Sequence, residues 1–388
     1  MDGKIKLGVS IYPDFMTISQ MEERLVNAKK LGYSIIFTSI QLQDLGFENT
    51  QEEIGDNFRY LFDRASELGL ECHVDINDVM LEKIGASIHD LNAVKELNIP
   101  VIRIDGGFNA DELAVLTNNK EGIIIEENLS NYKQLKKNYA TVEAKGNMKQ
   151  YCGCHNFFPL NGTGISMEEA IEVAKEFKRN GNKTGIFIAS QYSAPDLNAV
   201  GHGVPTVEKH RYLPSYVQVQ EIIASKAFDY VIFGDSDPSY QELLEVAKHN
   251  NLVQDVLKQA QDDQEILNIQ DMPCIDIPCY FEKIGEDNIK KLESMVLLAR
   301  DDKAQKMIRA TQTRGKFYFL PNMNIACEKY MIMMQNGEAN RYSGEIHIML
   351  DELPPARYTN CIGYVKPYAQ CLLKYVHDGK VAFRLVNE

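Results

Sequence analysis

Cys152-Gly153-Cys154-His155-Asn156-Phe157-Phe158-Pro159 reads as the end of a buried strand that gives way to a polar and aromatic turn stopped by a proline. The apolar alternation fails at His155 and Asn156, with Phe157 and Phe158 beside them. Apolar walls with a few convergent polar groups are what a small-ligand pocket requires; a histidine and an asparagine also close ordinary loops. The fold turns on how many other strands exit in the same way.

Outward from this stretch the same unit recurs. Short β-branched runs over 6–12, 34–40, 71–77, 101–106, 122–126, 149–154, 184–189 and 230–234 are each followed by a helical pattern. Capping boxes at Ser19-x-x-Glu22, Thr50-x-x-Glu53 and Ser166-x-x-Glu169 mark helix starts, and Gly32, Gly69 and Gly181 mark helix ends. Met21, Leu25, Ala28 and Leu31 recur at helical spacing in the first helix. Eight βα units predict a closed (β/α)8 TIM barrel, and no Gly-x-Gly-x-x-Gly follows the first strand to favour an open dinucleotide-binding sheet.

A chain of 388 residues is long enough for two cores. We expect the barrel over 1–250, a polar helix-prone connection over 251–270, and a mostly β domain over 271–388. In that domain, strands are expected at 315–320, 342–350, 361–365 and 381–386, helices at 287–298 and 301–308, and turns at Asn336-Gly337 and Asp378-Gly379.

The net charge of −14 argues against nucleic-acid or anionic-membrane partners and leaves room for a local basic pocket. The N-terminus carries no signal-peptide pattern, and no apolar run reaches membrane-spanning length. Eight cysteines without CxxC pairs fit reduced thiols in a cytoplasmic protein, with no metal and no cofactor expected.

In a TIM barrel the chemistry lies where strands end. Asp75 and Asp105 end adjacent strands, and such a pair suits acid/base work on a glycosidic bond, or a divalent cation, unless one merely holds Arg103. The long segment 190–213 carries His202, Glu208, Lys209, His210 and Arg211, which read as a phosphate pocket or as the start of a solvated helix. Asp235-Ser236 opens a helix whose N–H groups suit an anion. Tyr12, Phe157, Phe158 and Tyr192 read as a stacking wall or as core. Arg341, in Asn340-Arg-Tyr-Ser-Gly-Glu345, reads as a surface turn or part of a lid.

Val-Asp-Ile at 74–76, Ile-Arg-Ile-Asp at 102–105, His-Asn-Phe-Phe-Pro at 155–159, Pro-Thr-Val-Glu-Lys-His-Arg at 205–211, Gly-Asp at 234–235 and Arg-Tyr-Ser-Gly-Glu at 341–345 together resemble the MupG-type 6-phospho-N-acetylmuramidases. The resemblance covers essentially the whole chain. It departs from the family pattern at the ends of strands 5 and 7, so that Asn128 alone carries over at strand 5. It implies a TIM barrel followed by a small cyclophilin-like β domain. It also implies a cytoplasmic hydrolase of peptidoglycan recycling, which splits the β-1,4 bond of N-acetylmuramic acid 6-phosphate–N-acetylglucosamine.

On this reading Asp75 and Asp105 are the catalytic carboxylates, with Glu208 and Asp235 in reserve. Arg103, Asn128, His155 and Asn156 orient the substrate, Tyr12 and Phe157 wall it, and His210 and Arg211 face its phosphate or lactyl carboxylate. Arg341 adds a substrate contact, and the β domain serves as a lid or a homodimer contact. A metal-dependent isomerase or aldolase using Asp75, Asp105, His155 and Glu208, and a non-catalytic sugar-phosphate-binding protein, are the competing readings.

Overall fold

The computed structural model describes residues 4–40, 55–192, 203–259, 272–321 and 325–388. The capping box at Thr50, His202 and the 260–270 part of the connection lie outside the described residues. Its contacts divide the chain into two compact units, 5–219 with 226–247 and 248–388 with 220–225. None of the described helices is long and apolar enough to cross a membrane.

The first unit is a closed parallel barrel. Its strands are β1 (Lys6–Ser10), β2 (Ile35–Ser39), β3 (Glu71–Ile76), β4 (Val101–Ile104), β5 (Ile124–Asn128), β6 (Tyr151–Cys154), β7 (Thr184–Ile188) and β8 (Tyr230–Phe233). Each pairs with the next, and Lys6 opposite Tyr230 returns β8 to β1. The main surrounding helices are α1 (Ile18–Lys30), α2 (Asp56–Glu67), α3 (Asp78–Lys83), α4 (Asn92–Glu96), α5 (Ala110–Thr117), α6 (Tyr132–Lys145), α7 (Met167–Phe177), α8 (Ser215–Ser225) and α9 (Tyr240–Gln259).

Local chemistry explains the helix limits, with one correction. The α1 capping box is Thr17 with Gln20, not Ser19 with Glu22: the Thr17 hydroxyl accepts from the Gln20 N–H, and the Gln20 carbonyl accepts from the Thr17 N–H. Glu22 is instead taken by Arg64 and Tyr60. At α7 the Ser166 hydroxyl does accept from the Glu169 N–H. Gly32, Gly69 and Gly181 all have the positive φ that ends a helix cheaply only at glycine. Met21, Leu25 and Ala28 are buried, as the helical spacing predicts.

Strand β5 begins two residues later than expected. That shift carries Glu126 into the middle of the strand, where it is wholly buried, rather than leaving it at the exit. There it meets β8. Gly185 lies opposite Tyr230, and a Cβ at 185 would fall 2.0 Å from the Tyr230 ring. The glycine makes room for that ring, whose hydroxyl donates to Glu126 Oε2 at 2.5 Å. His73 Nδ1 reaches the same oxygen at 2.7 Å. Burial opposes charge on both His73 and Glu126, yet their attraction wins: His73 is held up at about 9 and Glu126 is held below its ordinary range.

The second unit is built on β9 (Cys274–Phe281), β10 (Met307–Ala310), β11 (Met331–Gln335), β12 (Ile346–Met349), β13 (Thr359–Val365) and β14 (Ala382–Asn387). The sheet order is β10-β12-β11-β13-β9-β14, antiparallel except for the β9–β14 pair. Helices α10 (Glu286–Glu293) and α11 (Leu373–His377) accompany it. The helix expected over 301–308 is absent. Met307–Ala310 alternates in burial with period two and pairs with β12, so strand geometry wins there. The segment 315–320 is not a strand: its backbone bonds are scattered, to Ser343, Thr313 and Gly337 and to the side chains of Lys291 and Asn360.

Glu126→Gln removes the carboxylate shared by buried charges and should cost roughly 3–5 kcal/mol of stability, read from a urea midpoint. The folded His73 value lies above the ordinary histidine value of 6.5. Its stabilisation is therefore complete below pH 6.5 and lost as pH rises through about 9. Wild-type stability should fall between about pH 7 and about pH 10, and His73→Phe should lack that component.

Candidate active site

Adjacent parallel strands put Asp75 beside Arg103 and Arg103 beside Glu126 in register. With side chains alternating, all three enter the barrel interior. The Arg103 guanidinium is fully buried, and its Nη1 donates to Asp75 Oδ1 at 2.6 Å. The same Nη1 lies 3.5 Å from Asp105 Oδ1, Nη2 donates to Asn156 Oδ1 at 3.3 Å, and Nε faces Glu126 Oε1 at 3.7 Å. The Asn128 amide donates to Asp105 Oδ1 at 2.5 Å. Asp75, Arg103, Asp105, Asn128 and Asn156, all singled out by sequence, therefore converge.

The two aspartates differ in setting. Asp75 is 5% exposed, and burial pushes its carboxyl up to about 6, assisted by the Asp105 charge and opposed by Arg103. The Asp105 side chain is 29% exposed and stands at the solvent side. Its loop is tightly placed: Gly107 has φ +85°, and a Cβ there would sit 2.2 Å from the Asp78 carboxylate. An acid held near 6 beside a more open carboxylate is the arrangement that gives two like groups different roles.

Asn156 is fixed from three sides. Its N–H donates to the Ser130 hydroxyl at 3.0 Å, its carbonyl accepts from the Thr206 hydroxyl at 2.8 Å, and its Oδ1 accepts from Arg103. His155 supports this. Nε2 lies 3.1 Å from the Ala170 carbonyl, which can only accept, so Nε2 carries the proton. Nδ1 then accepts from the Ser130 hydroxyl at 3.2 Å. Burial lowers the His155 value to about 4, so the ring is neutral and turned toward α7 rather than toward the aspartates.

Phe157 meets Phe37 and Phe187 edge-on, with centroids 6.1 and 5.1 Å away, and forms a partly buried apolar wall. Tyr12 belongs to the same cluster but is sealed in it, with its hydroxyl donating to the Gly234 carbonyl at 3.0 Å. Tyr192 is exposed.

The segment after β7 uses its charges on itself. Glu208 accepts from the Gly162 and Gly164 N–H groups at 2.8 and 2.7 Å and from two nitrogens of Arg211. These bonds, Arg211 first, pull the Glu208 carboxyl down to about 2. The buried Arg211 also donates to the Gly203 and Leu160 carbonyls. His210 is fully buried beside it. Asp235 accepts from the Ser190 and Val204 N–H groups. Arg341 lies in the second unit. The set Asp75, Asp105, His155 and Glu208 does not converge, and among the described residues no three His, Cys, Asp or Glu side chains are grouped to hold a metal ion.

Sequence reasoning missed His73, Ser130 and Tyr230, and also Glu242, which accepts from Ser190 Oγ, the Gln191 N–H and Ser215 Oγ. Only His73 carried a usable signal, since alternation places it on the Asp75 face of β3.

The family model described as 6-phospho-N-acetylmuramidase, N-terminal, matches residues 7–248, and its C-terminal counterpart matches 277–386. A crystal structure of an uncharacterized B. cereus protein is 25% identical, with TM-score 0.79 and 99% of each chain covered. A conserved Enterococcus faecalis protein of unknown function is 21% identical, with TM-score 0.69, 99% of this chain and 96% of that one covered, a likeness of fold. No curated protein matches the sequence significantly. Matched through both units by the family's two models, this chain belongs to the 6-phospho-N-acetylmuramidase family.

Proposed function

We propose that the chain is a cytoplasmic glycoside hydrolase of cell-wall sugar recycling. It cleaves the β-1,4 bond between N-acetylmuramic acid 6-phosphate and N-acetylglucosamine. The observation that carries this is the sharing of one Arg103 nitrogen by Asp75, held near 6, and the more open Asp105.

Asp75 is the proton donor in this reading. Burial keeps its proton on, and passing that proton to the glycosidic oxygen lets the leaving sugar depart as an alcohol. Arg103 holds the carboxyl in place and stabilises the carboxylate left behind. Asp105 faces the sugar ring, oriented by Asn128. Asn156 offers its Nδ2 amide, unused among the described residues, to a sugar oxygen or acetamido group. Phe157 supplies the apolar wall. His155, Glu208, Arg211 and Asp235 act as positioning residues, because the described contacts engage them with backbone or with each other.

Both aspartate oxygens approach one nitrogen, at 2.6 and 3.5 Å, so they stand no farther apart than those two lengths laid end to end. That falls short of the roughly 6.5–9.5 Å which leaves room for a water in inverting enzymes. We take retention as the outcome this closeness favours, whether Asp105 or the acetamido oxygen of the substrate closes on the anomeric carbon.

The 6-phosphorylated disaccharide should be split and its unphosphorylated form left intact, followed by mass; cleavage of neither would refute the hydrolase reading. Asp75→Asn should lower kcat by about 10²–10⁴-fold while substrate binding persists. In the wild type, kcat should decline as pH rises through about 6, because the protonated form of Asp75 is the working one. Proton NMR during turnover should show the β anomer of the muramic sugar first, and initial release of the α anomer would overturn the retaining assignment.

A further inference from the structure

A satellite cluster in the second unit is made almost entirely of sulfur-bearing side chains. Cys327, Met331, Met333 and Met349 are buried together, and Met307, Leu353, Cys361 and Tyr364 pack against them, partly buried. Six of these eight carry sulfur, in a chain with 8 cysteines and 14 methionines among 388 residues, so general composition does not account for the grouping. Strand pairing brings them together. Met307 stands opposite Met349 on β10 and β12, and Met333 opposite Cys361 on β11 and β13. Directly opposed side chains have Cβ atoms roughly 4.5–5.5 Å apart. Alternation turns the buried Ile308, Ile332 and Ile348 to the other face, so the aliphatic packing lies on one side of the sheet and the sulfur cluster on the other. Cys327 is fixed by an isolated bridge to Leu353, with backbone bonds of 2.9 Å in each direction.

The donors are of one chemical kind. The neighbouring imidazole is committed elsewhere: His347, opposite Met333, has Nε2 3.0 Å from Glu345 Oε1 and Nδ1 3.2 Å from Gln335 Nε2. Among the described residues no three His, Cys, Asp or Glu side chains are grouped, so the zinc pattern of thiolates and imidazoles is not met. Thiols together with thioethers are instead the donor set that selects a soft ion such as Cu(I). Burial raises the values of both thiols, and the Cys361 charge adds to the rise at Cys327, so a thiolate here calls for a cation beside it. Cys361 and Met307 are half-buried and give an ion its way in from solvent. Methionines also fill irregular gaps in cores; in that role a leucine of similar volume serves equally, and the sulfur has no consequence.

We propose that Cys327 and Cys361, with the thioethers of Met333 and Met349, form a Cu(I) site in the second unit. Each cysteine gives its thiol proton to solvent as its Cu–S bond forms, and the metal stays Cu(I) throughout. Met331 is left out of the set because its Sδ already accepts the Glu328 N–H at 3.2 Å. The site draws on residues of the second unit alone and needs nothing of the hydrolytic reading.

Anaerobic titration of the full, reduced chain with Cu(I) held by the coloured chelator bicinchoninate tests this. The wild type should draw one Cu(I) per chain from the chelator, and X-ray absorption at the copper edge should show a shell of sulfur alone. Met333→Leu combined with Met349→Leu keeps side-chain volume and should weaken Cu(I) roughly tenfold or more, while the copper-free protein still melts cooperatively. Cys361→Ser, at a half-buried position, should weaken it further, and an equal concentration of Zn(II) should not compete. No withdrawal of Cu(I) by the wild type would overturn the proposal. So would binding that both variants retain undiminished, which would place the copper at an adventitious thiol elsewhere. Loss in Cys361→Ser but not in the double leucine variant would overturn the thioether assignment. Nitrogen or oxygen in the copper shell, or equal competition by Zn(II), would overturn the soft-donor assignment.

Discussion

A guanidinium sealed inside a β-barrel sets the terms for everything around it. Arg103 has no exposure, and an unpaired charge there would be ruinous to stability. Its pairing with Asp75, Asp105 and Glu126 removes that penalty and raises its own already high value. Glu126 in turn needs His73 and the Tyr230 hydroxyl. The formal charges of His73 and Arg103 cancel those of Glu126 and Asp105. A negative charge on Asp75 would have to share Arg103 with Asp105 in a site that burial already makes hostile to it. The proton on Asp75 is therefore held first by burial, with the Asp105 and Glu126 charges adding to it and Arg103 opposing it.

Polar residues at the strand ends are of two sorts. Asp75 and Asp105 meet a guanidinium, whereas Asp235, Glu208 and Glu242 meet backbone N–H groups and loop side chains. Backbone N–H groups at the exits of parallel strands have no ladder partner, and each must be satisfied when the loop above is buried. Acidic residues near strand ends supply acceptors for that purpose. Their position in the sequence resembles that of catalytic acids, and only the direction of the side chain tells them apart.

Legibility in the sequence follows from this. The eight β-branched runs, the stop glycines and the Ser166 cap are local signals, and local signals located the barrel. Asp75, Arg103, Asp105, Asn128 and Asn156 were legible because neighbouring parallel strands in register bring like positions together. Arg211 and His155 were legible as residues of the site region but not in their orientation. Arg211 closes on Glu208, and His155 turns outward to Ala170. The phase of β5 was lost because Glu126 and Glu127 are poor strand formers, kept there by tertiary partners: His73 and Tyr230 inward, Asn138 and Tyr151 outward. In the second unit, Met331–Gln335 went unread for the same reason, since its methionines carry little β preference and are held by packing between β12 and β13.

Arg103 and Arg341 mark opposite uses of one side chain. Arg103 lies among carboxylates of its own barrel, at no exposure, and any anion brought to it must displace a partner that stability requires. Its work is electrostatic: it fixes an acid and stabilises what the acid becomes. Arg341 is exposed, stacked on Tyr342, and meets no carboxylate among the described residues. Arg211 is committed in the same way as Arg103, with its N–H groups spent on Glu208 and two carbonyls.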